Sequence, residues 1–201
     1  RIEMVTPEIA KALADAGCTL VLFAVETANT NIRLNLLKRY MSDEQIIKGA
    51  SLLKQNKIKL YTQNMVGLPN ETIEDSFKTI DLNRKIKTDY AWVSIFQPYP
   101  GTELGDISVK MGLITKEEMN FPESYYNNSI LKGKQDFVRL QCWFPLAVRN
   151  RFAYFISKKL IKLPFDKLYH LIWNFYRAYV YLFRINYMSF EELLGMLAGQ
   201  K

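Results

Sequence analysis

Residues 60–72, LYTQNMVGLPNET, decide the fold that the sequence predicts. The stretch has the pattern of a strand that runs into a Gly-Leu-Pro turn, and a helix start follows the turn directly. In α/β proteins, ligands bind where the carboxyl end of a strand opens into such a turn. We therefore expect the candidate site at this end of the strand.

Strand and helix patterns alternate on both sides of this stretch. Strands are predicted at residues 1–5, 19–25, 58–66 and 91–97, and helices at 7–16, 31–39, 42–56 and 73–87. The run TLVLFAV at 19–25 is almost wholly apolar, which is typical of a strand buried on both faces of a parallel sheet. The order βαβαβαβ with right-handed crossovers predicts an α/β fold with a parallel sheet, or part of a (β/α) barrel.

Local signals mark the ends of several helices. Residues 6–8, TPE, open the first helix with a cap, a proline and an acid, and Gly17 suits its C-terminal cap. Ser42 and Gln45 have the spacing of a capping box. We interpret Glu71 as an acid in the first turn of the helix that follows the Gly-Leu-Pro turn.

The pattern changes after residue 105. Residues 106–133 are rich in loop signals, whereas residues 134–201 are helical in character. Amphipathic helices are predicted at 144–161 and 165–183, divided by Leu163-Pro164, and a short helix at 190–197. We therefore divide the chain into an α/β segment (1–105), a connector (106–133) and an α-helical C-terminal region (134–201).

The composition is that of a globular protein with a basic second half. At 201 residues, 49% of them hydrophobic and 23% charged, the chain can hold one medium domain or slightly more. Residues 1–105 carry 13 Lys and Arg against 12 Asp and Glu, whereas residues 106–201 carry 14 against 8. No nucleic-acid-binding motif accompanies this moderate excess, so we expect no nucleic-acid partner.

The chain has two cysteines, Cys18 and Cys142, which are far apart in the sequence. Such a pair predicts neither a disulfide framework nor a set of metal ligands, and it is compatible with a reducing cytoplasm. No signal peptide is visible, and the chain begins with a strand pattern instead of a start methionine. We interpret it as a piece of a longer, cytoplasmic protein.

Five short motifs follow one another along the first half: AGC at 16–18, FAVET at 23–27, KR at 38–39, VGLPNET at 66–72 and PYPGT at 98–102. Over residues 1–105 this series resembles the second half of a radical S-adenosylmethionine (radical SAM) core. The resemblance is closest to the class with an N-terminal cobalamin-binding domain. That class includes proteins similar to anaerobic magnesium-protoporphyrin ester cyclase and cobalamin-dependent methyltransferases. The resemblance implies the C-terminal half of a partial, TIM-like (β/α) barrel with parallel strands.

The chain departs from this family in one major and two minor respects. The family's CxxxCxxC loop, which holds a 4Fe-4S cluster, does not occur in the chain, and the resemblance places it upstream of residue 1. Ala24 and Asn70 stand where the family more often has glycine. We therefore expect no metal ligand and no catalytic residue in this chain, and no cofactor bound to the isolated fragment.

Glu26 and the pair Lys38-Arg39 are the first candidates for a cofactor site. An acid directly after six apolar residues is poorly placed for a purely structural role, because burying a carboxylate is costly. The resemblance implies that Glu26 bonds the methionyl or ribose portion of S-adenosylmethionine, and that a basic residue reaches the cosubstrate's carboxylate. Spacing favours Lys38, with Arg39 next. The alternatives are a surface acid that caps a helix and a solvated basic pair.

Gln63 is the candidate on the central strand. Alternation places Gln63 on one face of the strand and Thr62 and Asn64 on the other. The resemblance implies that Gln63 points into the barrel toward the ribose. The alternative is a side chain that only makes hydrogen bonds inside the barrel.

The remaining candidates follow the central and the last strand. The resemblance implies that Met65, Val66 and Gly67 form a wall beside the adenine, where a glycine lets a flat ring approach the backbone. It also implies that Gln97 and Pro98 border the adenine and the substrate cavity. The alternative for the latter segment is a strand that simply ends at a proline-rich turn.

The resemblance implies that the full-length parent is a radical SAM enzyme with a 4Fe-4S cluster, S-adenosylmethionine and cobalamin. Such an enzyme performs radical methylation or oxidative cyclisation of a small molecule, and it takes electrons from a donor such as flavodoxin or ferredoxin. The chain itself, which lacks the cluster cysteines, is expected to be inactive.

Residues 148–185 interleave Lys and Arg with aromatic and aliphatic residues. We favour a helical cap on the barrel, with lysine stems lying along apolar surface. The alternative is a non-catalytic scaffold whose basic amphipathic tail docks on a membrane surface or a protein partner. No stretch is apolar for long enough to span a bilayer, so membrane contact would be peripheral. We interpret His170 as an ordinary helix residue and Cys142 as a small buried one.

Overall fold

In the computed structural model, residues 1–119 and 130–184 are described, together with residues 189, 191 and 194. The helices and strands follow in chain order as α1 (Pro7–Asp15), β1 (Leu20–Glu26), α2 (Asp43–Gln55), β2 (Lys59–Val66), α3 (Ile73–Lys85), β3 (Tyr90–Ile95), α4 (Glu103–Lys110), α5 (Gln135–Arg149), α6 (Arg151–Leu160) and α7 (Asp166–Tyr179). A 3-10 turn at Ile2–Met4 and π-helical turns at Ile32–Leu36 and Val180–Arg184 complete the described elements.

The sheet has three strands in the order β1-β2-β3, and both pairs are parallel. Helices α2 and α3 provide the two crossovers between neighbouring strands, as parallel pairing requires. This arrangement confirms the α/β class and fits a partial TIM-like barrel. The helical C-terminal region is also present, in α5, α6 and α7.

The predicted strand at residues 1–5 is wrong. This segment forms a 3-10 turn in which Ile2 is buried against α2 while Met4 is exposed, so a turn produces the alternating pattern. Gly49 of α2 makes this close approach possible, since a Cβ there would lie 2.2 Å from the carbonyl oxygen of Ile2. The predicted order βαβαβαβ therefore loses its first strand.

Several predicted helix limits also need correction. The segment predicted as a helix at 31–39 is only the short π-helical turn Ile32–Leu36. The helix predicted at 144–161 breaks at Asn150, whose side chain accepts a hydrogen bond from the Ala153 N–H (2.8 Å) and thereby starts α6. The predicted helix 190–197 and residues 120–129 of the predicted connector lie outside the described residues, apart from 191 and 194.

A buried polar network joins β2 to α3. Thr62 Oγ1 donates to Asn83 Oδ1 (2.5 Å), and Asn83 Nδ2 donates to Asn64 Oδ1 (2.7 Å). Asn64 Nδ2 in turn donates to the Trp92 carbonyl of β3 (2.9 Å). All three polar side chains are buried, so each needs these partners. The network holds one face of β2 on α3 and turns Gln63 to the opposite face.

The C-terminal helices wrap around the β3 side of the sheet. Helix α5 packs on β3 and α3, and Gln141 Nε2 donates to the Val93 carbonyl of β3 (3.1 Å). Beyond α7, the turn Val180–Arg184 brings Tyr181 onto the inner face, where its hydroxyl lies 3.2 Å from that of Tyr61. Among the described residues, no helix is both long enough and apolar enough to cross a membrane.

Replacing Asn83 with leucine tests the polar network. Asn83→Leu leaves Thr62 and Asn64 with unsatisfied buried groups, so we expect the free energy of unfolding to fall by about 2–4 kcal/mol in urea titrations. The control Asn35→Leu changes an exposed amide in the π-helical turn and should cost less than about 0.5 kcal/mol. Equal losses in the two variants would contradict the role of the network.

Candidate functional site

A cavity of about 480 Å³ lies at the carboxyl ends of the three strands. Glu26 of β1, Gln63 and Met65 of β2, and Ser94 of β3 line it together with Gln97. Its other lining residues are Asn64, Trp92, Ile95, Phe96, Tyr99, Thr102 and Leu104. Each parallel strand thus contributes a polar group to the edge where such sheets bind ligands.

Glu26 sits at an irregular end of β1. The pairing register with β2 shifts between Ala24 and Glu26, and Glu26 adopts a left-handed φ of 63°. A non-glycine residue in this region is uncommon and costs energy, and such strain clusters at functional sites. Only 14% of the Glu26 side chain is exposed. Burial raises the pKa of this carboxyl above its usual value, while the charge of Arg39 acts in the opposite direction.

The structure separates the two neighbouring basic residues. Arg39 Nη2 lies 2.8 Å from Glu26 Oε1 and forms an ion pair with the carboxylate of the cavity. Lys38, which the sequence spacing favours, pairs instead with the exposed Glu103 at the start of α4, and the hydrogen bond that it donates to Glu103 raises the pKa of the lysine. Arg39, whose planar fork suits carboxylates, is therefore the basic group that contacts the cavity's acid.

Arg33 is a residue that the sequence analysis missed. Its side chain is fully buried, donates to the Thr27 carbonyl (3.1 Å) and pairs with Asp43 of α2 (2.6 Å). The Arg33 carbonyl accepts the N–H of Arg39 (2.9 Å). Arg33 thus fixes the loop between β1 and α2, which carries Arg39. The available signal was a single arginine in the turn Ile32–Leu36, whose other residues are three apolar ones and Asn35.

Glu71 locks the turn that follows β2. Its carboxylate is buried, accepts the Leu68 N–H (3.0 Å) and accepts the hydroxyl of Ser76 (2.8 Å). The prediction that Glu71 lies in a first helical turn is wrong, because α3 begins after the Thr72 cap, with Glu74 and Asp75 as its first-turn acids. Burial raises the pKa of Glu71 to about 7, although these hydrogen bonds and the charge of Lys134 lower it.

The same turn requires left-handed backbone at Gly67 (φ 79°) and Asn70 (φ 62°). Asparagine tolerates this conformation better than most residues, and glycine adopts it freely. A Cβ on Gly67 would lie 3.2 Å from Ile95 and 3.7 Å from Phe137, so Gly67 faces the core beneath α5.

The other predicted residues divide between cavity and core. The exposed side chain of Gln63 and the half-buried side chain of Met65 line the cavity, and so does the buried Gln97. Val66 is fully buried in the core with Val93 and Phe137. Neither Val66, Gly67 nor the buried Pro98 lines the cavity.

Trp92 is a second residue that the sequence analysis missed. It pairs in register with Gln63, and its ring lies 5.8 Å from that of Trp173 in α7 and 6.3 Å from that of Tyr90. The Tyr90 ring also contacts Tyr181, at 5.5 Å. These rings form an aromatic floor beneath the cavity. The available signal was the spacing of Trp92 and Ser94. They are two residues apart in the last predicted strand, so they share one face, which is also the face of Gln63.

The sequence profile described as the Radical SAM superfamily matches residues 2–82, which include β1, the Arg39 loop and the turn after β2. This segment of the chain is similar to the radical SAM superfamily. The match ends within α3, so β3 and the C-terminal helices lie outside it.

Curated relatives of this chain are named as enzymes. It is 30% identical over 114 residues to an uncharacterized methyltransferase of Pyrococcus horikoshii, which covers 57% of the chain and 25% of that protein. It is 26% identical over 153 residues to the anaerobic magnesium-protoporphyrin IX monomethyl ester cyclase of Rubrivivax gelatinosus. This alignment covers 76% of the chain and 26% of the cyclase. It is 30% identical over 118 residues to the tRNA-2-methylthio-N(6)-dimethylallyladenosine synthase of Pelagibacter ubique. This alignment covers 57% of the chain and 26% of the synthase. The chain spans about a quarter of the length of these relatives.

The superfamily implies S-adenosylmethionine and a 4Fe-4S cluster, and the described residues fit them unequally. The cavity offers the largely buried Glu26 carboxylate and side-chain amides beside apolar side chains, and the guanidinium of Arg39 is paired with that carboxylate. This set suits a zwitterionic nucleoside. Within residues 1–119 and 130–184, no three His, Cys, Asp or Glu side chains are grouped as metal ligands. Burial raises the pKa of the Cys142 thiol to about 12, which disfavours the thiolate that binds iron. These residues do not fit the cluster.

A pH titration tests the buried state of Glu71. Because its pKa is raised from 4.5 to about 7 in the folded protein, the native state favours the protonated carboxyl. The stability that this carboxyl contributes is therefore present below pH 4.5 and is lost as the pH rises through 7. Relative to the variant Glu71→Gln, the free energy of unfolding of the unmodified chain should fall by about 3 kcal/mol over this range.

Urea titrations at several pH values measure this difference directly. The control Glu74→Gln removes an exposed carboxylate from the first turn of α3 and tests whether the loss of any nearby carboxylate has the same effect. If the Glu71→Gln variant and the unmodified chain kept a constant difference across the range, the raised pKa would be wrong.

Proposed function

We propose that this chain is the S-adenosylmethionine-binding half of a radical SAM enzyme that carries out radical methylation or oxidative cyclisation with cobalamin. One observation carries the proposal. Glu26, strained and largely buried, ends β1 at the rim of the cavity and is paired with Arg39. A protein keeps such a costly carboxylate where a ligand uses it.

Four polar residues at the cavity have a role in this proposal. The Glu26 carboxylate accepts hydrogen bonds from the ammonium or the ribose hydroxyls, and Arg39 binds the cosubstrate's carboxylate. Gln63 bonds the ribose, while Met65 and Phe96 contact the adenine. The aromatic floor and the buried Gln97 exclude water from below and from the side. The cluster and S-adenosylmethionine supply the radical chemistry when they are bound, and this chain's residues orient the cosubstrate.

The relatives support the proposed reaction class. The names of two of them refer to a methyltransferase and a protoporphyrin ester cyclase, and the alignment with the cyclase covers 76% of this chain. From this we propose a small-molecule substrate, and an electron donor such as flavodoxin or ferredoxin for the parent, which we place in the cytoplasm. Another relative is named as a tRNA-modifying enzyme. The excess basic charge of this chain lies in its C-terminal helices and not around the cavity. We therefore do not propose a nucleic-acid substrate for this chain.

Equilibrium dialysis with labelled S-adenosylmethionine tests the proposed contacts of Glu26 and Arg39 with the cosubstrate. Glu26→Gln and Arg39→Met should each weaken binding by about tenfold or more, because each removes a charge-assisted hydrogen bond from a partly buried site. The control Lys38→Met, which breaks only the exposed pair with Glu103, should leave binding nearly unchanged. Loss of binding in the control, with Arg39→Met unaffected, would reverse the assignment of the basic residue.

A second experiment tests the proposal that this chain binds the cosubstrate but cannot cleave it. After iron–sulfur reconstitution and reduction with dithionite, the isolated chain should release no 5′-deoxyadenosine above background, because its described residues do not provide cluster ligands. Chromatography of the products measures this. Deoxyadenosine release would contradict the expected inactivity, while the binding experiment would still report on the cavity.

A further inference from the structure

Helix α7 has two apolar faces, and only one of them is packed. Tyr169, Trp173 and Val180 are buried on the inner side. The outer side of α7, continued through the turn Val180–Arg184, carries a second apolar stripe at helical spacing: Leu168, Leu171, Phe175, Tyr179 and Phe183, all exposed. The Phe175 and Phe183 side chains are each 71% exposed. A helix on the surface of a globular protein ordinarily has polar residues on its outer side.

Helix α6 and the following turn repeat this arrangement. Ala153 and Ser157 face inward and are buried, whereas Phe152 and Phe155 face outward, and Phe155 is 80% exposed. The turn to α7 adds the exposed Leu163 and Phe165. Scattered exposed apolar residues are normal, but a series that continues through two helices and their connection marks an interaction surface.

The charge of the chain is concentrated on the same segment. Residues 148–184 carry eight Lys and Arg against one acid, a net of +7, which equals the formal net charge of the whole chain. The remaining residues are therefore balanced. The single acid, Asp166, is paired with Arg139 of α5 at 2.8 Å, and Lys159 and Lys167 are exposed. The exposed rings therefore lie in a segment with an excess of positive charge, of which Lys162 is paired with Asp136 of α5.

We propose that the outer faces of α6 and α7 dock on the surface of an anionic lipid bilayer. Aromatic and aliphatic side chains at the water–acyl boundary, with lysines reaching anionic headgroups, are the features of an interfacial helix. These helices have 10 and 14 residues, and no described helix can span the membrane, so they would lie along its surface. The positive charge of the segment complements anionic lipid headgroups along its whole length. An uncharged protein partner would offer no such complement.

Vesicle co-sedimentation of the full 201-residue chain tests the proposal. We expect binding to mixed phosphatidylcholine–phosphatidylglycerol vesicles, much weaker binding to pure phosphatidylcholine, and release by added salt. The variant Lys159→Gln/Lys167→Gln should lower the partition coefficient by roughly 20-fold. Its control, Lys48→Gln/Lys85→Gln, removes the same charge from exposed positions on α2 and α3 and should have little effect.

A second set of variants tests whether the exposed aromatic rings contribute to vesicle binding. Phe155→Ser/Phe175→Ser should weaken vesicle binding by at least about tenfold, because the inserted apolar area is lost. The control Met4→Ser changes an exposed apolar residue outside the surface and should leave binding unchanged. All these positions are exposed, so the thermal unfolding midpoint should stay close to that of the unmodified chain and show that a loss of binding is not a loss of folding.

Three results would overturn the proposal. One is the absence of vesicle binding. Another is equal binding to neutral and anionic vesicles without salt dependence, which would indicate nonspecific adhesion of the rings. The last is a concentration-dependent dimer, seen by sedimentation velocity, that the Phe155→Ser/Phe175→Ser variant dissociates while vesicles stay unbound. That result would assign the surface to a second copy of the chain.

Discussion

The ion pair between Glu26 and Arg39 is the interaction on which the candidate site depends. It requires the register shift and left-handed residue at the end of β1, which turn the carboxylate toward the cavity. It also requires a fixed loop, because Arg39 is held through the backbone of the buried Arg33, itself paired with Asp43. A partly buried carboxylate with this much supporting structure is ready for a ligand before the ligand arrives, which lowers the ordering cost of binding.

The strands and helix starts that depend on local patterns could be predicted from the sequence. The capping box of Ser42 and Gln45 is present, and Gly17 is left-handed as its C-terminal cap position requires. Strand β1 starts and ends within one residue of its predicted limits. The failures occurred where one pattern has two structural causes. A turn that buries Ile2 imitates a strand, and a polar cap at Asn150 divides an aromatic run that reads as one helix.

The candidate site shows the same limit more sharply. Alternation along β2 brings Gln63 and Met65 to the cavity, and by the same rule it sends the side chain of Val66 into the core. Arg33 and Glu71 could not be assigned from local sequence. The role of Arg33 comes from Asp43, ten residues further along the chain, and the environment of Glu71 includes Lys134, which follows it by more than sixty residues. Such partners meet only after the chain has folded.

The two edges of the sheet differ in how far other parts of the described chain cover them. On the β3 side, Gln141 donates to the Val93 carbonyl, so α5 covers that edge. On the β1 side, the described residues provide no strand partner, and Leu22 is exposed there. An open strand edge with an apolar side chain is a template for pairing with another chain. The β1 edge is therefore the side of the sheet on which a further strand could pair.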